Sequence, residues 1–300
     1  ITPPGPYRLV AATSFGVFLS AMDSSIVNVS LETMMTSFGV DLLEVQWIVL
    51  SYLLILTSTM PLTGKIGDRF GKKRVFQSGM LVFVLFSLTC ALSPTLPVLV
   101  VCRTFQALGG SMMAANGLAI VTYFTTNQNR GRAIGMNSIV LAAALGLGPV
   151  LGGILSQASG WPSIFLINLP VGVAGFLVVE RIIPETDPVR EMRFDSLGAT
   201  LFFTTLFTFI YALSVSINTD ISETLAYLLI ATGVFTLFLV REKRFSSPVI
   251  PLGVLADRRI STGVVSSILS YMAVVPVSFL TPLWLQDPMG FAPSEAGLFL

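Results

Sequence analysis

The chain has 300 residues, 53% of them hydrophobic and only 11% charged, with a mean hydropathy of +0.83. Soluble domains carry about a quarter charged residues, so that class is excluded, and the absence of histidine removes the commonest metal ligand and general base. A net charge of +1 gives no overall attraction to nucleic acid.

A membrane-spanning helix needs roughly 20 mostly apolar residues. Nine such runs are predicted, over about 8–30, 45–63, 75–93, 96–122, 133–157, 161–183, 196–216, 224–240 and 261–285, and a tenth begins near Pro293. The fold class is therefore all-α integral membrane. The first run is too long for a signal-peptide core and no small-residue cleavage site follows it. An opening "ITPPGPYR" without Met, and a last apolar run that stops at "EAGLFL", lead us to expect a piece of a longer protein. Cys90 and Cys102 lie in apolar runs and read as small core residues, with no metal site expected.

Charge was not used to draw these runs, so it tests them. With the N-terminus cytoplasmic, the inside positions hold Arg8, Lys65, Arg69, Lys72, Lys73, Arg74, Arg130, Arg132, Arg181, Arg190, Arg193, Arg241, Lys243, Arg244, Arg258 and Arg259. Every Lys and Arg except Arg103 is thus inside, as the positive-inside rule requires. Glu32, Asp41, Glu44, Asp220, Glu223 and Asp287 fall outside. The long polar connections 184–195 and 241–260 suggest three parts. These are an N-terminal six-helix bundle over 1–183, two extra helices with linkers over 184–245, and the incomplete start of a C-terminal bundle over 246–300. Asp195 is expected to be the N-cap of the seventh helix and nothing more.

In the first run, "FGVFLSAMDSSIVNVSLE" (15–32) contains Asp23, and in the fourth "LVVCRTFQALGG" (99–110) contains Arg103. These are the ionisable side chains well inside the predicted spans. An isolated charge there costs several kcal/mol, so each is a candidate functional group in need of a partner. The first helix should end near Ser30 and the fourth should start near Pro97, which puts both charges roughly 10 Å below the outer face. One reading is a static ion pair that fixes helix packing. The other is that Asp23 takes up and releases a proton while Arg103 tunes it, because burial favours the protonated carboxyl and a nearby guanidinium opposes it. Ser24, Ser25, Asn28 and Gln106 could wet a shared cavity or serve as ordinary interhelical hydrogen-bond partners; Met113 and Asn116 are further candidates to line it.

"GKIGDRFGKKRVF" (64–76) joins the second and third runs. It is expected to be a loop of about ten residues in which Gly64 and Gly71 allow tight turns. Asp68 would cap a helix or pair with Arg69 or Arg74. Lys72, Lys73 and Arg74 would face anionic headgroups. In the fifth run, "AALGLGPVLGGIL" (143–155) sets Ala144, Gly148 and Gly152 at small-xxx-small spacing beside Pro149 and Gly153. Such spacing lets backbones approach, and the proline is expected to bend the helix.

The 64–74 string resembles the glycine-rich loop signature of the major facilitator superfamily, Gly-x-x-x-Asp-Arg-x-Gly-Lys/Arg-Lys/Arg, at Gly64, Asp68, Arg69, Gly71, Lys72 and Lys73. "MDSSIVNVSLE" resembles the first-helix signature of its fourteen-helix drug:proton antiporters at Asp23 and Asn28, with Ser25 in place of Thr and Glu32 in place of Pro. Trp47 and Tyr52 match in the second helix. Leu99, Arg103, Gln106 and Gly109 match in the fourth, with Ala107 in place of Gly. "GPVLGG" (148–153) resembles the antiporter signature of the fifth helix, with Ala144 in place of its first Gly. "WPSIFLINLPVG" matches at Trp161, Phe165, Asn168, Pro170 and Gly172 but lacks the usual Trp-Arg-Trp.

The resemblance implies two six-helix bundles with two helices inserted between them, and rocker-type alternating access. It implies a multi-pass protein of the plasma (inner) membrane, a monomer at full length, that exports amphipathic drugs in exchange for protons. Residues 64–74 would form the cytoplasmic gate and 144–153 the bend. Its partners would be a small-molecule substrate, protons and the lipid bilayer, with no nucleic acid, no cofactor and no metal. The alternatives are a proton-coupled transporter of one specific metabolite on the same fold, or a truncated membrane protein that does not transport. An intramembrane enzyme is disfavoured, since an aspartyl protease needs two intramembrane carboxylates and Asp23 stands alone.

Overall fold

The computed structural model describes residues 5–187, 195–216, 220–245, 248–250 and 252–298, and all regular secondary structure among them is helical. The first six spans contain α1 (Pro6–Phe38), α2 (Leu42–Val45), α3 (Trp47–Phe70), α4 (Lys72–Ala91), α5 (Leu96–Phe124), α6 (Asn127–Ser159), α7 (Ser163–Leu166) and α8 (Asn168–Ile182). These are followed by α9 (Ser196–Val215), α10 (Ile221–Arg244), α11 (Leu252–Leu255), α12 (Arg258–Gln286) and α13 (Pro293–Leu298). Among the described residues, nine helical segments are long and apolar enough to cross a membrane, and α13 falls where a tenth run is predicted to begin. Arg190 and Arg193 lie outside the described residues.

Local chemistry sets the helix ends. Pro6 starts α1, where its missing N–H costs nothing, and Gly39 stops it in the left-handed region at φ 65°. α1 therefore runs eight residues past Ser30, further than the apolar run predicts, because polar residues beyond the apolar stretch still continue a helix. Asp41 and Glu44 form a capping box at α2, with Glu44 N–H donating to Asp41 Oδ1 at 2.9 Å and Asp41 N–H to Glu44 Oε2 at 3.2 Å.

The expected loop at 64–74 is not a loop. α3 continues to Phe70 and α4 begins at Lys72, so Gly71 alone, at φ 99°, makes the turn. Gly64 makes no turn; it lies inside α3, where an added Cβ would meet only Ala115 at 3.8 Å. The charged residues here are good helix formers, and only the one positive-φ position needs glycine.

α1 is buried on all sides, with Leu9, Leu19, Met22, Ile26, Val27, Leu31 and Met34 all at 1% exposure or less. A helix apolar all round belongs at the centre of a bundle, and α1 packs against α5, α6 and α8. Two apolar layers result. One joins Leu19, Tyr52, Phe76, Met80, Phe83 and Met113; the other joins Ile26, Leu31, Ile48, Leu99, Ile164 and Phe165. Asp23 falls in the sequence between Leu19 of one layer and Ile26 of the other.

Glycines set the close crossings. A Cβ on Gly109 of α5 would lie 2.6 Å from the Gly79 carbonyl oxygen of α4, and one on Gly152 of α6 would lie 2.7 Å from the Ile26 carbonyl oxygen of α1.

α9 and α10 pack on each other, and α9 lies along α3. Near one end of α3, Gln46 Nε2 donates to Ser214 Oγ at 3.1 Å and Trp47 meets Tyr211 at 6.3 Å; near the other, Lys65 Nζ donates to the Pro248 carbonyl at 2.7 Å. Asp195 does cap α9, accepting from Gly198 N–H at 2.9 Å, but it also pairs with Arg241 of α10 at 3.2 Å. The cap-only expectation failed because packing brings Arg241 to the same carboxylate.

α12 meets the rest of the structure through its C-terminal third. Phe279 and Leu283 pack into the layer around Ile26, and Gln286 Nε2 donates to the Val29 carbonyl at 3.1 Å. From Arg258 to Val277 it is exposed, apart from partly covered Ser261.

Candidate functional site

Asp23 projects from α1 into a polar knot built by five other helices. One carboxylate oxygen, Oδ2, forms an ion pair with Arg103 Nη1 of α5. The other, Oδ1, accepts from Gln106 Nε2 of α5 at 3.0 Å and from Asn168 Nδ2 of α8 at 2.8 Å. Gln106 holds both members of the pair, since its Oε1 accepts from Arg103 Nη1 at 2.7 Å while its Nε2 also reaches Ser87 Oγ of α4 at 2.7 Å. Arg103 Nε donates to the Ile48 carbonyl of α3 at 3.3 Å. The guanidinium lies over the Tyr52 ring at 4.1 Å and faces Phe165 of α7 at 5.6 Å, distances suited to cation–π attraction.

The whole knot is shut away. Asp23, Tyr52, Ser87, Gln106, Phe165 and Asn168 are fully buried and Arg103 is 1% exposed. Two buried charges survive only when paired and hydrogen-bonded, and all three side chains bonded to the carboxylate, Arg103, Gln106 and Asn168, donate to it. The site is thus organised for a negative Asp23.

Of the expected cavity residues, only Gln106 is in this knot. Ser25 lies on the α6 side, its Oγ 3.5 Å from the Ala144 carbonyl and donating to Met22 O at 3.2 Å. Ser24 bonds back to the Ser20 carbonyl at 3.0 Å. Asn28 makes no contact with the knot, and its Oδ1 is buried without a partner. Met113 belongs to the apolar layer around Phe76. Asn116 clamps α5 to α3, donating to the Thr63 carbonyl at 3.1 Å and lying against Gly67. Distance along α5 separates Met113 and Asn116 from the pair: Gln106 is about one turn from Arg103, whereas they lie roughly 15 and 20 Å from Arg103 along the helix axis.

Asn168, Ser87, Tyr52 and Phe165 were not singled out as site residues. All are neutral, so the cost of burying a charge does not point to them. The available signal was the "WPSIFLINLPVG" segment, where Phe165 and Asn168 lie one helical turn apart.

At the Gly71 turn, Lys72 Nζ pairs with Asp68 Oδ1 at 2.5 Å, in place of the expected Asp68 contact with Arg69 or Arg74. A helix on both sides of Gly71 puts residues 68 and 72 within reach. Arg74 pairs instead with Glu185 at 3.2 Å, Lys73 with Glu180 at 3.2 Å, and Thr186 Oγ1 accepts the Lys72 backbone N–H at 2.7 Å. Arg69 faces Phe70. Ala144, Gly148, Pro149, Gly152 and Gly153 are all buried on α6, which continues as helix through Pro149. Among the described residues, no cluster of His, Cys, Asp or Glu could hold a metal.

Solved structures share this fold. A peptide transporter POT crystallised with sulfate aligns with a TM-score of 0.61 at 14% identity over 97% of this chain and 65% of that one. A bacterial homologue of the human lysosomal transporter Spinster aligns at 0.59 and 14% over 98% and 59%. In sequence, the chain is similar to the riboflavin transporter RibZ of Clostridioides difficile, 33% identical over 94% of this chain and 61% of that protein. It is 33% identical to the putative multidrug resistance protein MdtD of Serratia proteamaculans, over 96% and 60%, and 31% identical to the tetracenomycin C resistance and export protein of Streptomyces glaucescens, over 98% and 55%. The chain thus spans about three-fifths of the length of these relatives. The family profile described as the Major Facilitator Superfamily matches residues 13–300, and the chain belongs to that family of membrane transporters.

Proposed function

We propose that the protein of which this chain is part is a proton-coupled antiporter that exports amphipathic compounds by alternating access. The observation that carries the reading is the fully buried Asp23–Arg103 pair. Gln106 bonds both members of this buried pair, and a buried carboxylate freed from its arginine is neutralised by taking up a proton. In this reading Asp23 carries the proton and Arg103 displaces it. The hairpin of Gly64, Asp68, Arg69, Gly71, Lys72 and Arg74 is the cytoplasmic gate, and Ala144, Gly148, Pro149, Gly152 and Gly153 on α6 form the bend, packed closely on α1. Residues 1–183 act as one bundle and 246–300 begin the second. The protein spans the plasma membrane as a monomer with its N-terminus in the cytoplasm.

Relatives named for multidrug resistance and tetracenomycin export favour outward movement of toxic compounds. A relative named a riboflavin transporter favours the second reading, a single metabolite moved on the same fold. The test is proton-driven efflux of ethidium from everted vesicles by the full-length protein. Wild type pumps uphill and releases protons, while Asp23→Asn keeps downhill exchange but loses uphill pumping by tenfold or more. Uphill pumping by Asp23→Asn at the wild-type rate would sink the proposal.

A further inference from the structure

Asn168 has a feature that neither Gln106 nor Arg103 shares. It is fully buried, its Nδ2 donates to Asp23 Oδ1 at 2.8 Å and to Ser87 Oγ at 3.3 Å, and its Oδ1 has no partner. An ionised carboxylate only accepts hydrogen bonds, whereas a protonated one must also donate. A side-chain amide carries a donor and an acceptor on one rotor, and here the acceptor is vacant. The Gln106 oxygen is not vacant in this way: its Oε1 accepts from Arg103 Nη1 at 2.7 Å and faces Cys90 Sγ at 3.8 Å.

Asn168 is also the first residue of α8, directly after the break at Ile167. One turn earlier, Phe165 faces the guanidinium of Arg103. The short segment 165–168 therefore touches both members of the ion pair. α8 then runs about 18 Å to Glu180, clasped between α1 and α4 where Gly172 meets Val84 and Leu19, and Gly175 meets Met80 and Phe15. Beyond it, Glu180 holds Lys73 and Gln77, Glu185 holds Arg74, and Thr186 holds the first N–H of α4. One rigid element thus connects the buried pair with the Gly71 hairpin.

We propose that Asn168 is a positioning residue that reads whether Asp23 is protonated and passes that state along α8 to the Gly71 hairpin. With Asp23 ionised, the amide donates as it does here. With Asp23 protonated, the amide turns its vacant oxygen to the new O–H and releases Ser87, and the start of α8 shifts with it. This rests on the reading of Asp23 as the proton carrier. The other ionisable groups facing the pair are Tyr52 from α3 and Cys90 from α4. Asp68, Glu180 and Glu185 are carboxylates at the hairpin itself, so the experiment must isolate Asp23.

Hydrogen–deuterium exchange of the full-length protein in lipid nanodiscs does so, comparing pH 8 with pH 5 at labelling times scaled for intrinsic exchange. In wild type, protection over 64–76 and 183–187 should change at least twofold between the two pH values. Asp23→Asn should abolish the change. Asn168→Leu should cut it below a quarter of its wild-type size although Asp23 is intact, and Asn168→Thr, whose hydroxyl both donates and accepts, should restore it. Asn168→Ala replaces the leucine variant if that one fails to fold. An unchanged response in Asn168→Leu, or protection lowered equally at both pH values, overturns the inference while leaving the proton carrier standing. A full response in Asp23→Asn overturns the proton-carrier reading and this inference with it.

Discussion

Arg103 is buried and contacted on every side. Its charge is met by Asp23, Gln106 and the Ile48 carbonyl, and its flat faces by Tyr52 and Phe165. Removing one member of a buried pair leaves the other charge stranded, at about 3–5 kcal/mol, while removing both charges together costs far less. Arg103→Ala should therefore lower the melting temperature of the purified protein more than Arg103→Met combined with Asp23→Asn. A double variant as unstable as the sum of the singles would mean the two residues are not energetically coupled. Arg103→Lys should not rescue function, because an ammonium cannot serve Asp23, Gln106 and Ile48 while covering the Tyr52 ring.

Between α1 and α6 the controlling quantity is the distance between backbones. Gly152 faces the Ile26 carbonyl, which cannot move aside, and Gly148 faces Ser25, whereas Gly146 on the exposed side of the same helix has nothing within 4 Å of an added Cβ. Gly152→Ala should destabilise by about 1–3 kcal/mol, and Gly146→Ala should be neutral or stabilising by up to about 1 kcal/mol. Thermal unfolding of the two variants reads the difference directly; equal effects would mean that the seam relaxes. The Gly71 hairpin obeys a related rule. At φ 99° only glycine is comfortable, so Gly71→Ala strains the turn that holds Lys72 on Asp68 and Thr186, whereas Gly64→Ala fits the space inside α3.

Across the molecule, α12 is joined to α1 near Val29 and stands clear of it along Arg258–Val277. If these contacts part during transport, Val29→Cys combined with Gln286→Cys in the full-length protein should stop ethidium efflux when a short thiol crosslinker joins them. Unimpeded efflux from the crosslinked protein would show that the contact is static. The pair α9–α10 is different. α9 packs along α3, where Gln46 meets Ser214, and the segment after α10 meets Lys65 through the Pro248 carbonyl, as expected of a part that moves with the first bundle, so Gln46→Cys joined to Ser214→Cys should leave efflux intact.

The membrane class and the nine spans were legible from the amino-acid order alone, because a bilayer imposes one length and one polarity on every segment that crosses it, and Lys and Arg mark the sides. That Asp23 and Arg103 each need a partner was equally legible, since a charge in an apolar run is costly wherever the run packs. Their neutral partners were not. Asn168, Ser87, Tyr52 and Phe165 cost little to place in many settings, and only the packing of α3, α4, α7 and α8 around α1 aims them at the pair. The hairpin was misread for the same reason: charged residues signal the end of a membrane run, but they do not end a helix. Whether Asp68 meets Arg69, Arg74 or Lys72 depends on helix phase across Gly71, which emerges only once the chain is folded.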